Sequence, residues 1–229
     1  MTKPVIKLLD LCCGAGGSAM GYYKAAQDLG LKIEITGIDI KPQPNYPFKF
    51  IQADAVAYFA KNHKKYTHFH SSPPCQKYTN STAQYRKQGY QYADILEAIK
   101  QAFYAQVKPA IIENVRQAPI RPDVVLIGYM FGLKVIRRRH FELVNWFMIQ
   151  EPTYNTSKSV KEGDFVCVVG TGSYKKSSND ADPKFKKATV LDTWRYAIGN
   201  DWMKKEKELA ESIPWKYTYY IAHELFSRI

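Results

Sequence analysis

The sequence predicts a doubly wound α/β domain built on a mostly parallel sheet. Three observations carry this. Short apolar runs alternate with helical patterns from residue 5 to residue 115. A glycine-rich turn follows the first run. The polar residues capable of chemistry fall where the apolar runs end, which is where such sheets place their ligands.

"VIKLLDL" (5–11) reads as the first strand. "CCGAGGSAMGYYKAAQDLG" follows: its glycines make a turn, apolar positions return at helical spacing after Gly17, and Gly30 ends the helix. "KIEITGIDI" (32–40) is the second strand and "FKFIQAD" (48–54) the third, with a short helix in "AVAYFAKN". "YTHFHSS" (66–72) is the fourth strand, a helix spans 92–107, and "PAIIENV" (109–115) is the fifth strand. Right-handed crossovers join the parallel strands. Composition changes after about residue 150. The stretch 150–190 is polar and rich in Ser, Lys and Gly, and only "DFVCVVG" (164–170) looks like a strand. It reads as an irregular basic insertion. Helical patterns return from Leu191. The expected division is a core over 1–149, the insertion over 150–190 and C-terminal helices over 191–229.

The 229 residues, 45% of them apolar, suit one domain, or one domain with a small appendage. A net charge of +12 favours a polyanionic partner, most simply nucleic acid. No apolar run is long enough to span a membrane, and the N-terminal stretch lacks the features of a signal peptide. Cys12, Cys13, Cys75 and Cys167 form no C-x-x-C pair, so no metal site is expected, and free thiols fit a cytoplasmic protein.

Four groups of residues point to chemistry. "DLCCGAGG" is a strand-to-helix turn that lets backbone approach a ligand closely, although it lacks the dinucleotide spacing. Asp39 and Asp54 end the second and third strands, where acids suit a ribose and an adenine; each also reads as an ordinary helix cap or surface acid. Cys75 sits in "SSPPCQ", a loop stiffened by Pro73 and Pro74, and Glu113 ends the next strand. A thiol and a carboxyl at one mouth suit covalent catalysis with acid assistance; the plain alternative is a buried inert cysteine and a surface acid. In "IRRRHFEL" (136–143), strand alternation places Arg137 and Arg139 on one face and Arg138 on the other. The pair suits a base oxygen or phosphates, or else an ion-paired edge strand.

At these residues the chain resembles the DNA cytosine-5 methyltransferase family, especially its short members encoded by bacteriophages and prophages. "DLCCGAGGSAMGY" is similar to the family's cofactor motif, "GIDIKPQPNYPF" to its ribose motif and "QADA" to its adenine motif. "SSPPCQ" matches the Pro-Cys-Gln motif and "ENV" the Glu-Asn-Val motif; "RRRHF" is similar to the arginine motif. "AIGNDWM" with "ELAESIPWKYTYYIAHEL" is similar to the C-terminal motif that folds back on the cofactor pocket. The similarity runs in order over nearly the whole chain, outside about 150–190.

The resemblance implies a Rossmann-like S-adenosylmethionine-dependent methyltransferase fold. It implies cofactor binding by Asp10, Cys12, Gly14, Gly16 and Gly17 of the first motif, Asp39 and Ile40 of the second, Asp54 and Ala55 of the third, and Pro74. Cys75 would add to cytosine C6, and Glu113 would contact N3 and the exocyclic amine. Arg139 would hold O2 with support from Arg137, and Asn114 would orient the Cys75 loop. Ser72, Gln76, Lys175 and Lys176 would face the substrate. The implied partner is double-stranded DNA with its target base flipped out. The same chemistry on RNA or a cytosine nucleotide is the alternative, as is a DNA-binding protein without turnover. Adenine-N6 and cytosine-N4 methylases carry a Pro-Pro-aromatic motif instead and need no thiol. A monomer in the cytoplasm of a bacterial host is expected, with specificity short, relaxed or supplied by a partner protein. Three positions depart from the family: Cys12 stands where Phe is usual, Val135 where Gln is usual, and Trp215 where a second Pro is common. The region for target recognition, 150–190, is very short.

Overall fold

The computed structural model describes residues 4–150, 156–158, 164–168 and 189–229. Lys175 and Lys176 lie outside the described residues, as does most of the basic insertion.

The chain begins with β1 (Ile6–Leu11), α1 (Gly17–Asp28), β2 (Ile33–Asp39) and β3 (Lys49–Gln52). Next come α2 (Ala55–Asn62), β4 (His68–Ser71), α3 (Ala83–Lys87), α4 (Leu96–Tyr104) and β5 (Ala110–Asn114). It continues through β6 (Val124–Leu126), β7 (Arg139–Val144), α5 (Val190–Ile198), α6 (Glu206–Glu211) and α7 (Trp215–Phe226). The seven strands are ordered β3-β2-β1-β4-β5-β7-β6. Pairings from β3 across to β5 are parallel, and β7 runs antiparallel between β5 and β6.

Strand alternation sorts the interior into two cores. Leu8 and Ile111 face α1 and α7, where Tyr22, Tyr217, Ile221 and Phe226 are buried. Leu9, Leu11, Phe69 and Ile112 face α2 and α4, which bury Phe59, Ile99 and Phe103. α1 and α7 meet closely because α1 carries glycines on that face. A Cβ on Gly21 would lie 2.1 Å from Thr218 Oγ1 and 2.3 Å from the Trp215 carbonyl. The Thr218 hydroxyl also donates to the Ser18 carbonyl (2.7 Å). Gly21→Ala is therefore expected to destabilise the fold by about 2–3 kcal/mol, despite alanine's better helix propensity. Urea unfolding checks this; an unchanged midpoint would show that the two helices can part at no cost.

Three expectations are corrected, and one strand is new. The helix expected over 92–107 starts at Leu96, because the Asp94 carboxylate accepts the Leu96 N–H (3.2 Å) and ends the preceding loop. Residues 164–168 of "DFVCVVG" form no strand; the Val166 N–H instead donates to the Lys134 carbonyl (2.7 Å). β6 was not foreseen. The arginine run does not alternate as a strand, since β7 begins only at Arg139 and Arg137 precedes it with a left-handed backbone (φ 36°).

Candidate active site

The strand order reverses between β1 and β4, and parallel sheets open a crevice at such a point. The Ser72 N–H donates to the Leu11 carbonyl (3.2 Å) and pins the β4 exit to β1, and the Cys13 N–H donates to the Ile38 carbonyl (3.1 Å) and pins the β1 exit to β2.

On the β1 side the glycine turn needs left-handed backbone at Cys12 (φ 56°), Gly14 (φ 49°) and Gly16 (φ 85°). The Asp39 carboxylate braces it, accepting the Gly14 N–H (3.1 Å) and the Lys41 N–H (2.9 Å). Gly14 faces open space, whereas a Cβ on Gly16 would meet Pro47 at 2.7 Å and one on Gly17 the Ile213 carbonyl at 2.4 Å. Gly16 and Gly17 thus permit close packing within the protein itself. Ile40, next to Asp39, is 66% exposed, an apolar surface at the rim of the crevice. Asp54 caps α2, with Oδ1 accepting the Ala57 N–H (2.8 Å), and Ala55 is buried as the first residue of that helix. Asp10 is fully buried beneath the turn. Tyr46 donates to its Oδ2 (3.1 Å), and its Oδ1 has no partner. Burial lifts the Asp10 carboxyl to about 8.

The C-terminal segment closes over this turn. Trp202 Nε1 donates to the Ala15 carbonyl (2.9 Å), and Asn200 Nδ2 to the Ile213 carbonyl (2.8 Å). Asn200 Oδ1 accepts the backbone N–H of Trp215 (3.2 Å). A proline at 215 has no N–H to give, so the departure at Trp215 and the bond to Asn200 go together. Val135, the second departure, is buried, and its carbonyl lies where a Cβ on Gly128 would stand.

On the β4 side the chain leaves Ser71 through Ser72, Pro73 and Pro74 to Cys75. Asn114 Nδ2 donates to the Pro73 carbonyl (3.1 Å) and ties the loop to the end of β5. Beyond Cys75, Arg86 donates to the carbonyls of Gln76 and Thr79 (2.8 Å each), so both flanks of the thiol are anchored. Cys75 itself is half-buried. Burial pushes its thiol up, and the nearby Arg139 and Arg137 charges oppose this while Glu113 adds to it.

Glu113 is buried and pairs with Arg139, Nε to Oε1 at 2.9 Å. Burial raises its carboxyl above the ordinary carboxylate range; Arg139 and a hydrogen bond from Ser72 pull the other way. Ser72, expected to face the substrate, also lies 3.0 Å from His70 Nε2. Arg137 turns away from this cluster's mouth. Its guanidinium donates to the Val168 carbonyl (3.0 Å) and to the Ala210 carbonyl, and burial lowers it to about 9. Arg137 therefore ties the C-terminal segment to the start of β7, while Arg139 alone reaches Glu113.

The topology thus gathers Cys75, Glu113, Arg139, Asn114 and the glycine turn at one crevice. Tyr22, Asn200 and Trp202 lay inside the quoted "DLCCGAGGSAMGY" and "AIGNDWM" but were not singled out, and His70 was missed by sequence reasoning. His70 stood inside "YTHFHSS" (66–72), and its polar character in a strand was the available signal.

No family model matches the chain, and no curated protein matches it. Among solved structures it is similar to the methyltransferase EhMeth of Entamoeba histolytica, at 12% identity and a TM-score of 0.65 with 99% of each chain covered. It is also similar to the S. pombe Dnmt2 methyltransferase, at 14% identity and a TM-score of 0.58 with 98% of this chain and 99% of that one covered. The chain therefore has the expected α/β fold, that of Rossmann-like methyltransferases.

Proposed function

We propose that this chain is an S-adenosylmethionine-dependent cytosine-5 methyltransferase acting on duplex DNA. One observation carries the reading: a thiol on an anchored loop stands beside a buried carboxyl–guanidinium pair, at the same crevice as an open glycine turn. A binding protein has no need of that thiol.

The crevice fits the cofactor. Gly14 faces open space, Ile40 offers exposed apolar surface, and Asp39 and Asp54 supply acceptors at the ends of β2 and β3. Asp39 would hold ribose hydroxyls, and Asp54 the adenine amino group with Ala55 beside it. Gly14 and Cys12 would lie against the nucleoside, with Pro74 closing the reactive end. Gly16, Gly17 and Asp10 would act by shaping the turn. When bound, S-adenosylmethionine would supply the electrophilic methyl carbon that C5 takes, its sulfonium sulfur keeping the bonding pair and leaving as S-adenosylhomocysteine.

The chain's own residues do the rest. The Cys75 thiolate uses a lone pair to form a bond to C6, and the C5–C6 π electrons become available at C5. Glu113 gives a proton to N3, so negative charge does not build on the ring. Arg139 holds O2 and keeps Glu113 in place. After C5 is methylated, a base removes its proton, the C5–C6 double bond re-forms, the C6–S bond breaks with its electrons returning to Cys75, and N3 gives its proton back to Glu113. Asn114 fixes the loop throughout, and Gln76 and the insertion lysines Lys175 and Lys176 would meet the DNA. The target base must leave the stack to reach this crevice.

The net charge of +12 supports a polyanionic substrate. The protein would act as a monomer in the cytoplasm, since one crevice holds one flipped base; among the described residues no helix is long and apolar enough to cross a membrane. The test offers labelled S-adenosylmethionine with unmodified duplex DNA, transfer RNA and dCTP in parallel, and reads the product at base resolution. Methylated cytosines in a shared short DNA context are expected. Product on RNA or dCTP alone would move the same chemistry to that substrate. Binding of DNA and cofactor without transfer to any of the three would overturn the proposal.

A further inference from the structure

A line of polar groups runs from α1 to the site, buried at Tyr22 and His70 and half-buried at Ser72, and no step above uses it. The Tyr22 hydroxyl lies 2.9 Å from His70 Nδ1, and His70 Nε2 lies 3.0 Å from Ser72 Oγ. Ser72 and Glu113 follow the paired Ser71 and Ile112 at the ends of the adjacent strands β4 and β5, so the Ser72 hydroxyl is placed to donate to the Glu113 carboxyl, and its effect there is to lower it. Tyr22 and His70 are both fully buried, between β4 and α1.

The direction of this line follows from satisfying its hydrogens. Among the described residues, the Tyr22 hydroxyl has one hydrogen-bond partner, His70 Nδ1. A buried donor left without an acceptor is costly, so Tyr22 donates and Nδ1 is bare. Burial pushes His70 down to about 3, so the ring is neutral at working pH and carries one N–H. That hydrogen is on Nε2 and goes to Ser72 Oγ. Ser18 Oγ, 3.4 Å from Ser72 Oγ, can donate to its second lone pair. Ser72 is then supplied with donors, and its own hydrogen goes to Glu113.

We propose that Tyr22, His70 and Ser72 form a one-way hydrogen-bond relay whose outlet is the Glu113 carboxylate, and that His70 and Ser72 are positioning residues that set how readily Glu113 gives and regains its proton. The reaction role rests on the reading of Glu113 as the acid; the relay itself does not. In the proposed cycle Glu113 loses a proton to N3 and recovers it when the adduct collapses, so neither of its states can be strongly preferred. Burial favours the neutral acid, and a donated hydrogen bond offsets part of that preference. The other groups that face Glu113 are Arg139, Arg137, Cys75 and Tyr217. Asp10, beside His70 in register on β1, acts on Tyr22. All of these stay in place when Ser72 or His70 is replaced.

The test titrates the full chain, labelled with 13C at its glutamate carboxyls, by NMR; the Glu113 signal is the one lost in Glu113→Gln. Ser72→Ala and His70→Phe are each expected to tighten proton binding at Glu113, by roughly tenfold for loss of one buried hydrogen bond. His70→Gln, whose amide N–H stands in for Nε2–H, is expected to restore the midpoint. The alkaline fall in single-turnover methyl transfer should move upward in step. An unchanged Glu113 midpoint in Ser72→Ala overturns the relay, and this variant suffices even where His70→Phe does not fold. Failure of His70→Gln to restore the midpoint removes His70 from it. A shifted midpoint in a protein that transfers no methyl group keeps the relay and overturns the proposed reaction.

Discussion

Cys75→Ala is expected to lower methyl transfer by at least about 10³-fold, roughly 4 kcal/mol in the barrier, with cofactor binding within about twofold of the parent. Cytosine C5 is a poor nucleophile until a group adds at C6, and no other thiol shares the β4 exit with Glu113. The loss should be confined to chemistry because the loop does not depend on the sulfur. The Cys75 carbonyl accepts the N–H groups of Tyr78 and Thr79 (2.9 Å each), and alanine keeps that carbonyl. Asn114 holds Pro73 on one side and Arg86 holds Gln76 on the other. Single-turnover transfer and calorimetric titration of the cofactor check the two halves separately. Loss of cofactor binding in the variant would mean that Cys75 is a structural cysteine.

The second large effect is a pH dependence of stability centred on Asp10. Burial raises its folded-state pKa from the ordinary 3.8 to about 8. Between these values the folded protein holds a proton that the unfolded chain has released, so the contribution is complete at low pH and lost as pH rises toward 8. The span from 3.8 to about 8 corresponds to about 6 kcal/mol. His68 and His70 act in the opposite sense. Burial depresses them from 6.5 to about 4 and about 3, so their contribution is present above 6.5 and is lost as pH falls through the depressed values. The stability of Asp10→Asn relative to the parent isolates the first effect: the difference should grow from pH 4 to pH 8 and then level. Urea unfolding at a series of pH values measures it. A difference independent of pH would show that Asp10 is ionised in the fold.

Much of the architecture was legible because interior parallel strands are short, continuous apolar runs. β1 to β5 all lie within the stretches read as strands. α2 was read to its observed ends, because Asp54 caps it and its apolar residues recur at helical spacing. β7 was read as part of a strand over 136–143, but Glu142, a buried acid in the middle of its apolar run, gave no sign of its place in the sheet. It is satisfied by the Arg121 N–H (2.9 Å), Lys100 (3.4 Å) and the Tyr104 hydroxyl, partners that only the fold assembles. β6 has three residues, too few to show any period.

The site divides in the same way. Cys75, Glu113, Asn114, Asp39 and the glycine turn were visible because chemistry in this architecture gathers at strand exits. The separate duties of Arg137 and Arg139 were not, because a single left-handed residue breaks the alternation and sends one guanidinium to the C-terminal segment. The relay was also invisible. It requires the packing that sets Tyr22 of α1 over His70 of β4. Gly16 and Gly17 looked like ligand-facing glycines, and their structural demand came from Tyr46, Pro47 and Ile213, distant in sequence.

The central claim is that Cys75 forms a bond to C6 of a flipped cytosine. Duplex DNA in which 5-fluorocytosine replaces cytosine tests it directly, because C5 then carries no proton to remove and the adduct cannot collapse. With S-adenosylmethionine present, the account predicts a denaturation-resistant protein–DNA complex. Mass spectrometry should place the link at Cys75 with one added methyl group, and Cys75→Ala should form none. Methylated cytosine produced from ordinary DNA, with no trapped complex on the fluorinated duplex, would contradict it.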